Sequence, residues 1–191
     1  AGIDKARAYA AALVRDGDEL GLLGPREMPR LWSRHVINSG VVAELVADGK
    51  SVADVGSGAG LPGIPMAIAQ PKAHFTLIEP MERRSSWLQQ QVDALGLTNV
   101  TVKRARAEEV GGVFDIVTAR AVSALPKLLR MTVPLTRAGG QILALKGSKA
   151  ADEIAESQKL KNKLKIAGFE IVRVGTEHVD DPTTVVRVTL V

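Results

Sequence analysis

Three closely spaced glycines after a hydrophobic run are the feature that most limits how this chain can fold. Residues 52–55 form the run, and Gly56, Gly58 and Gly60 follow at every second position, just before a helical stretch that starts at Leu61. Glycine has no Cβ and adopts positive φ readily, so a ligand can approach the backbone at such a turn. The order of strand, glycine loop and helix is typical of open α/β sheets, whose ligands bind beyond the carboxyl ends of the strands.

The spacing of the glycines distinguishes two kinds of cofactor. A dinucleotide site typically has G-x-G-x-x-G, with the pyrophosphate at the helix N-terminus. This chain has D-x-G-x-G-x-G, starting at Asp54, which resembles motif I of S-adenosylmethionine-dependent methyltransferases. That cofactor carries an amino acid end in place of a pyrophosphate. We therefore predict S-adenosylmethionine as the cofactor. An NAD-dependent oxidoreductase is disfavoured, and a tight turn without a ligand is the other alternative.

A second acidic residue supports a nucleoside cofactor. Glu79 ends the predicted strand 74–79, which follows the first helix of the alternating region. A carboxylate at the end of this strand can accept two hydrogen bonds from ribose hydroxyls. A solvated glutamate at a strand end is the alternative interpretation. The glycine loop and Glu79 together are more specific than either feature alone.

Short β-branched runs alternate with helical stretches from residue 51 onward. The predicted strands span 51–55, 74–79, 100–103, 114–119, 140–146, 169–175 and 184–190. The predicted helices span 2–16, 26–48, 61–70, 82–95, 123–135 and 149–167. This alternation predicts a doubly wound, mostly parallel sheet. Because no helix separates the last two strands, we expect them to form an antiparallel hairpin.

This layout predicts an α/β protein of the class I methyltransferase (Rossmann-like) type with seven strands. We expect a single domain over residues 1–191, with an N-terminal helical cap at 1–48 and a Rossmann-like core at 51–191. The chain is long enough to bury one substantial core. Its content of 46% hydrophobic and 24% charged residues is that of an ordinary globular protein.

The composition excludes several other classes of protein. The chain has no cysteine, which rules out disulfides, thiolate metal sites and cysteine nucleophiles. We expect no metal site and a cytoplasmic location, which suits a protein without cysteine. No apolar run has the length of about 18 residues that a membrane helix needs, so we expect no membrane partner. The net charge of +4 is compatible with a polyanionic partner, although solubility alone explains a charge of this size.

Several motifs carry a family resemblance across residues 26–153. They are RHVINS at 34–39, DVGSGAGLPGIPMAIAQP from Asp54, HFTLIEP and the following RRSSWLQ, RARAEEV, ARAVSAL from Ala119, and LALKGSKAADEIAE. Generic methyltransferases do not share the GLPGIP element. With these motifs the chain resembles the RsmG (GidB) family of small-subunit ribosomal RNA methyltransferases. It looks like the actinobacterial type, because GLLGPREMPRLW replaces the aromatic N-terminal motif of many members.

The resemblance implies a set of cofactor contacts at Gly56, Leu61, Glu79, Ala107, Glu108 and Arg120, in addition to the other loop glycines. Ala107 and Glu108 would flank the adenine. Leu61 is as readily a core residue. Arg120 is the predicted catalytic residue, because the resemblance implies that it lies between the cofactor and the target base. A strand cap or a pairing of Arg120 with a carboxylate is the alternative interpretation.

The reaction that the resemblance implies is methylation of guanine N7 in 16S ribosomal RNA. Guanine N7 has a free lone pair, so no general base is needed, and the enzyme contributes alignment and desolvation. The partner would be the RNA itself, the 30S subunit or an assembly intermediate, bound by a monomer of this chain. Basic residues predicted to contact the RNA are Arg34, His35, Arg84, Arg106 and Lys146.

Two other functions remain open from the sequence. A small-molecule methyltransferase would share the cofactor residues but would need an enclosed apolar pocket. The three Phe, one Tyr and two Trp residues of this chain are few for such a pocket. A ribosome-assembly module could also bind the cofactor without turnover, but the intact glycine loop and Glu79 count against lost chemistry.

Overall fold

Seven strands and six α-helices form the regular structure of the computed structural model, which describes all residues 1–191. The strands are β1 (Ser51–Val55), β2 (His74–Ile78), β3 (Val100–Lys103), β4 (Phe114–Arg120), β5 (Thr136–Leu145), β6 (Ile166–Val174) and β7 (Thr183–Leu190). The helices are α1 (Gly2–Asp16), α2 (Asn38–Gly40), α3 (Gly63–Ala69), α4 (Glu82–Ala94), α5 (Leu125–Thr132) and α6 (Ala150–Ser157). None of them is long and apolar enough to cross a membrane.

The strands form one sheet in the order β3-β2-β1-β4-β5-β7-β6. The pairs among β1 to β5 are parallel, whereas β7 is antiparallel to both β5 and β6. The predicted fold class, with its terminal hairpin, is therefore confirmed. The strand order reverses between β1 and β4, and the crevice at such a reversal is where open α/β sheets bind ligands.

Both faces of the sheet are buried. Alternate residues of a strand point to opposite faces, so Val52 packs in the cluster that includes Leu13 of α1 and Leu88 of α4. Ala53 packs in the other cluster, with Leu129 of α5. This burial on both sides explains why the central strands are almost continuously hydrophobic in sequence.

The predicted helix at 26–48 is wrong in detail. A 3₁₀ helix (Pro25–Arg30), a π-helix (Leu31–Ile37), the short α2 and a second 3₁₀ helix (Val41–Leu45) replace it. Pro29 lies inside this stretch; it has no N–H to donate, and its ring disfavours helical geometry in the preceding residue. The hydrogen-bond spacing therefore changes along the segment, and the helical backbone stops before the predicted end.

The predicted helix at 149–167 is also too long. After α6 and a 3₁₀ turn (Gln158–Leu160) the chain reverses through Lys165, whose φ is 53°. Strand β6 then begins at Ile166, which pairs with Leu190 of β7. The weak apolar periodicity of this region is consistent with the short helix. Strand β5 starts before the predicted 140, because an irregularity in its pairing with β4 accommodates the two glycines of the run 136–145.

Helix α1 is attached directly to the glycine loop. The hydroxyl of the fully buried Tyr9 donates a hydrogen bond to the carbonyl of Ala59 at 2.5 Å. The Tyr9 ring lies 6.4 Å from the ring of Trp87 on α4, whose indole N–H donates to the Asp16 carboxylate at 2.8 Å. The N-terminal helix therefore supports the loop from outside the sheet.

Removing the Tyr9 hydroxyl should destabilise the fold. Tyr9→Phe keeps the ring but leaves the buried Ala59 carbonyl without this donor, so we expect the free energy of unfolding to fall by about 1–2 kcal/mol in urea titrations. Thr101→Val is the control, because it removes an exposed hydroxyl that contacts His74 and should change stability by less than about 0.5 kcal/mol. Equal stability of Tyr9→Phe and the wild type would contradict a supporting role for this hydrogen bond.

Candidate active site

The glycine loop has the backbone conformation that only glycine adopts easily. Gly56, Gly58 and Gly60 have φ values of 65°, 57° and 87°. A Cβ on Gly60 would lie 2.6 Å from Ile64 Cδ1, so this glycine allows close packing of the following helix. A Cβ on Gly58 would meet only the Gly56 carbonyl oxygen, at 3.8 Å. The backbone at Gly58 is thus open to a ligand.

The Glu79 carboxylate lies against this loop. It follows β2, is only 3% exposed, and accepts hydrogen bonds from the backbone N–H of Gly58 at 2.9 Å and of Met81 at 3.1 Å. A carboxylate has about four acceptor positions. Two of them are used here, so Glu79 retains capacity to accept hydrogen bonds from ribose hydroxyls beside Gly58.

A buried carboxylate holds the glycine loop in place. Asp54 is fully buried, and its Oδ2 accepts hydrogen bonds from the Ser57 hydroxyl at 2.7 Å and from the Gly63 N–H at 3.0 Å. Its Oδ1 has no partner. Burial raises the pKa of Asp54 to about 7, although the hydrogen bonds from Ser57 and Gly63 lower it. The sequence pointed to Asp54 as part of the motif but not to this anchoring role.

These residues fit S-adenosylmethionine better than a dinucleotide. In a dinucleotide site the N-terminal amides of the helix after the glycine loop bind the pyrophosphate. Here the Asp54 carboxylate already occupies the Gly63 N–H at the start of α3, and its buried charge would repel a phosphate. An open backbone at Gly58 beside the Glu79 carboxylate suits a nucleoside that has no phosphate.

The other predicted cofactor residues lie near this edge of the sheet. Ala107 starts a 3₁₀ helix (Ala107–Glu109) after β3 and packs in the same cluster as Ile78, the last residue of β2. The Glu108 side chain is exposed. The Leu61 side chain belongs to the hydrophobic core and its N–H donates to the Ser57 carbonyl at 3.2 Å, so only its carbonyl is free for a ligand. Contacts of these residues with a cofactor remain predictions.

Arg120 ends β4, on the other side from Glu79 of the switch point, the place between β1 and β4 where the strand order reverses. Its partly buried guanidinium donates to Nδ1 of His35 and to the Ser39 hydroxyl, the latter at 3.3 Å. On the far side of the ring, His35 Nε2 lies 2.6 Å from a Glu27 carboxylate oxygen. Burial lowers the pKa of Arg120 from its usual value. Sequence reasoning missed Glu27 and Ser39 as partners in this site, because no periodic spacing connects them to Arg120.

A polar cavity of about 510 Å³ opens beside Arg120 at the carboxyl ends of β4 and β5. Its lining includes Arg34, Asn38, Lys146 and Asp181. A neighbouring cavity of about 580 Å³ shares Arg34, Asn38 and Asp181 with it. Cationic and hydrogen-bonding groups thus dominate the space next to Arg120, and this space is neither enclosed nor apolar.

Comparison with known proteins identifies the family. The family model described as "GidB: rRNA small subunit methyltransferase G" matches residues 2–180. The chain belongs to this family. The ribosomal RNA small subunit methyltransferase G of Clavibacter michiganensis is 53% identical over 97% of this chain and 88% of its own length. That of Paenarthrobacter aurescens is 52% identical over 97% and 87%. The family prediction is confirmed, and with it the prediction of a methyltransferase.

Solved structures of methyltransferases share the fold at low sequence identity. TYW2 of M. jannaschii in complex with AdoMet has a TM-score of 0.63 and 20% identity, over 83% of this chain and 76% of that one. Magnesium protoporphyrin IX methyltransferase from Synechocystis with bound SAM has a TM-score of 0.58 and 17% identity, over 81% and 76%. These likenesses support the Rossmann-like fold class and nothing finer.

The structure places the five predicted RNA-binding residues in different environments. Arg34 is exposed and lines both cavities. Arg106 follows β3 and is also exposed. Lys146 lines the cavity beside Arg120 while donating to the Ser123 carbonyl at 2.6 Å. Arg84 donates to the Gly21 carbonyl at 3.0 Å. His35 is 5% exposed, with both ring nitrogens engaged.

Lys146 holds the loop between β4 and α5 in place. Besides its bond to Ser123, the Lys146 ammonium lies 3.4 Å from a Glu153 carboxylate oxygen. The same oxygen accepts the Leu125 N–H at 3.0 Å. Lys146 and Glu153 therefore fix the backbone that follows Arg120, and no sequence pattern marks Glu153 as a site residue.

The ionisation of Asp54 should make the free energy of unfolding depend on pH. The unfolded chain releases this proton near the usual pKa and the folded protein keeps it to about 7, so this contribution to stability falls as the pH rises between the two values. Asp54→Asn removes the titration. Between pH of about 4 and 7.5, wild-type stability should fall relative to the variant by on the order of 1–4 kcal/mol.

Chemical unfolding at a series of pH values measures this difference. Asp18→Asn, at an exposed position, is the matched control and should differ in stability from the wild type by less than about 0.5 kcal/mol. A stability difference between the wild type and Asp54→Asn that is constant over the same range would show that the Asp54 pKa is not raised.

Proposed function

We propose that this chain transfers the methyl group of S-adenosylmethionine to N7 of a guanine in 16S ribosomal RNA. Family membership supports methyl transfer to small-subunit ribosomal RNA. The observation that carries the proposal is the arrangement at the switch point of the sheet. Gly58 and Glu79 lie on one side of it, and Arg120 with its cationic cavity lies on the other. The choice of guanine N7 rests on the family resemblance.

Different residues of the chain would bind different parts of the cofactor. When bound, the cofactor supplies an electrophilic methyl group on a sulfonium. The loop glycines would accommodate it closely, Glu79 would accept hydrogen bonds from its ribose, and Ala107 and Glu108 would flank its adenine. Asp54 has no direct part in this assignment, because it holds the loop in shape through Ser57 and Gly63.

The chemistry on the RNA side requires alignment rather than proton removal. Guanine N7 presents a lone pair, so an in-line approach to the methyl group is enough if the base is held and water is excluded. Arg120 at the cavity can donate hydrogen bonds to guanine O6. A donor directed at N7 itself would block the reaction, so the guanidinium must be held in a definite orientation.

The RNA partner would be bound at the cationic cavity rim. Arg34 and Lys146 line the cavity beside Arg120, while the exposed Arg106 follows β3 and the partly buried Arg84 lies in the first turn of α4. Phosphate contacts of this kind position the RNA without reading its sequence. We propose that the chain acts as a monomer in the cytoplasm, on 16S RNA within the 30S subunit or an assembly intermediate.

The alternative functions lose support from the cavity. A small-molecule methyltransferase needs an enclosed, mostly apolar pocket, whereas the cavity beside Arg120 is open and polar. A cofactor-binding assembly module without turnover does not need a partly buried arginine opposite the cofactor loop. The position of Arg120 therefore favours an enzyme that acts on a polar, anionic substrate.

Methyl-labelled S-adenosylmethionine tests the function directly. The protein is incubated with small ribosomal subunits from a strain that lacks this enzyme, and the labelled nucleotides are mapped. We expect label in a single guanine, with chain cleavage specific for N7-methylguanine at that position. Calorimetric binding of the cofactor without label in subunits or assembly intermediates would refute the RNA reaction. Label in a metabolite would then favour the small-molecule enzyme, and no label at all would favour the module.

Arg120→Ala should separate catalysis from folding and cofactor binding. Loss of the guanidinium removes the group that orients the base, so we expect the rate of methyl transfer to fall by at least about a hundredfold. Thermal unfolding should stay close to that of the wild type, and the calorimetric Kd for the cofactor should change far less than the rate, because Arg120 would be one of several cofactor contacts. Arg173→Ala, which removes an exposed cation of β6, is the control and should retain activity. Near-normal activity of Arg120→Ala would remove this residue from the site.

A further inference from the structure

A buried histidine connects Arg120 to a carboxylate at the surface. His35 lies in the π-helix Leu31–Ile37 and is 5% exposed. Its Nδ1 contacts the Arg120 guanidinium, and its Nε2 lies 2.6 Å from the Glu27 carboxylate. The three residues come from β4, the π-helix and the preceding 3₁₀ helix, so they form a chain that crosses the cap.

The partners determine the protonation state of the ring. A guanidinium can only donate hydrogen bonds, so Nδ1 of His35 must carry a lone pair. The ring proton then lies on Nε2 and is donated to Glu27. A doubly protonated ring would direct an N–H at the Arg120 guanidinium. Only a neutral ring with its proton on Nε2 satisfies both contacts, and Glu27 favours this tautomer.

The arginine has no carboxylate partner of its own. None of the ion pairs in the structure includes Arg120, and its two side-chain acceptors, His35 and Ser39, are neutral. Its position is thus set by acceptors that do not cancel its charge. The remaining N–H groups stay available to the cavity that Arg120 lines. Glu27 contacts this guanidinium only through the imidazole, although its charge also acts on Arg120 electrostatically.

We propose that Glu27 and His35 are positioning residues that hold the Arg120 guanidinium in its productive orientation without neutralising it. The inference rests on the proposed role of Arg120 in methyl transfer. His35 would thereby serve the RNA reaction from behind Arg120 rather than through direct contact with RNA. Glu27 lies in the segment GLLGPREMPRLW, which departs from the common motif of the family, whereas His35 lies in the family motif RHVINS.

The chain of contacts from Glu27 through His35 to Arg120, which we call the relay, has a consequence for the pH dependence of the reaction. Three charged groups act on the pKa of His35, namely Glu27, Arg120 and the adjacent Arg34. Burial lowers the pKa of His35 from its usual value, Glu27 opposes this through its hydrogen bond, and Arg120 adds to the lowering. Below this pKa a second proton on the ring would expel the guanidinium, so activity should fall on the acidic side.

Glu27→Gln tests the relay with little risk to the fold, because the Glu27 side chain is 42% exposed. Its kcat on small subunits should fall by about tenfold, while the KM for subunits and the cofactor Kd should stay within about twofold. Loss of the carboxylate also removes a group that raises the His35 pKa, so the acidic limb of the kcat profile should move to lower pH. Glu19→Gln removes the same charge at an exposed position and should leave rate and profile unchanged.

Two substitutions of the ring separate positioning from packing. In His35→Asn the side-chain oxygen can accept from Arg120 in place of Nδ1 but does not titrate. This variant should therefore keep more activity than His35→Ala and lose the part of the acidic limb that comes from His35. Asp54, which also titrates, is unchanged in every variant. Equal activity of both His35 variants, or an acidic limb that is identical in Glu27→Gln and wild type, would overturn the relay.

The tautomer can be measured without any activity. In ¹⁵N spectra of the imidazole, Nδ1 of wild-type His35 should have the shift of an unprotonated ring nitrogen at neutral pH, and Nε2 that of a protonated one. The opposite tautomer, or a ring that is charged at neutral pH, would refute the relay. If the wild type methylates no RNA, the proposed function fails, whereas these spectra still decide whether Glu27 and His35 hold Arg120 as proposed.

Discussion

A single buried carboxylate holds the geometry on which the cofactor side of the site depends. Asp54 joins the end of β1 to the start of α3 through Ser57 and Gly63, and the loop glycines are confined between these two points. Burial of a charge is costly unless hydrogen bonds compensate for it, and here one of the two oxygens has no partner. The raised pKa of Asp54 is the result of that incomplete compensation. The loop is therefore held by a group whose charge changes near neutral pH.

The cap supports both halves of the site from one side of the sheet. Tyr9 of α1 holds the glycine loop through Ala59, and the irregular helices from 25 to 45 hold Arg120 through His35 and Ser39. The Thr183 hydroxyl of β7 donates to the Asn38 carbonyl at 2.6 Å, so the terminal hairpin is attached to the same segment. The π-helix widens the turn at which Arg34 and His35 lie side by side, and such widened turns are frequent at functional sites.

The sequence was sufficient to predict the sheet but not the structure of the N-terminal cap. Strands β1 and β3 have the predicted bounds because buried β-branched runs between glycine and helix signals are local patterns. The predicted cap helix failed at Pro29, where a proline signal competes with helical periodicity. Glu79 and Arg120 end strands that meet at one edge, so topology alone brings them to the site. Glu27 reaches Arg120 only through a π-helix that periodicity does not predict, and this contact required the three-dimensional structure.

The indirect support of Arg120 suits the charge changes of the proposed reaction. Methylation at N7 leaves the guanine base cationic, so an adjacent guanidinium opposes the product unless negative charge lies nearby. A carboxylate in direct contact would neutralise the guanidinium and compete for the N–H groups that hold the base. Glu27 lies one imidazole ring away, and the Asp54 carboxylate also interacts electrostatically with Arg120. Coulomb energy declines slowly with distance in a poorly solvated site, so these charges can offset the developing cation while the guanidinium keeps its donors for the base.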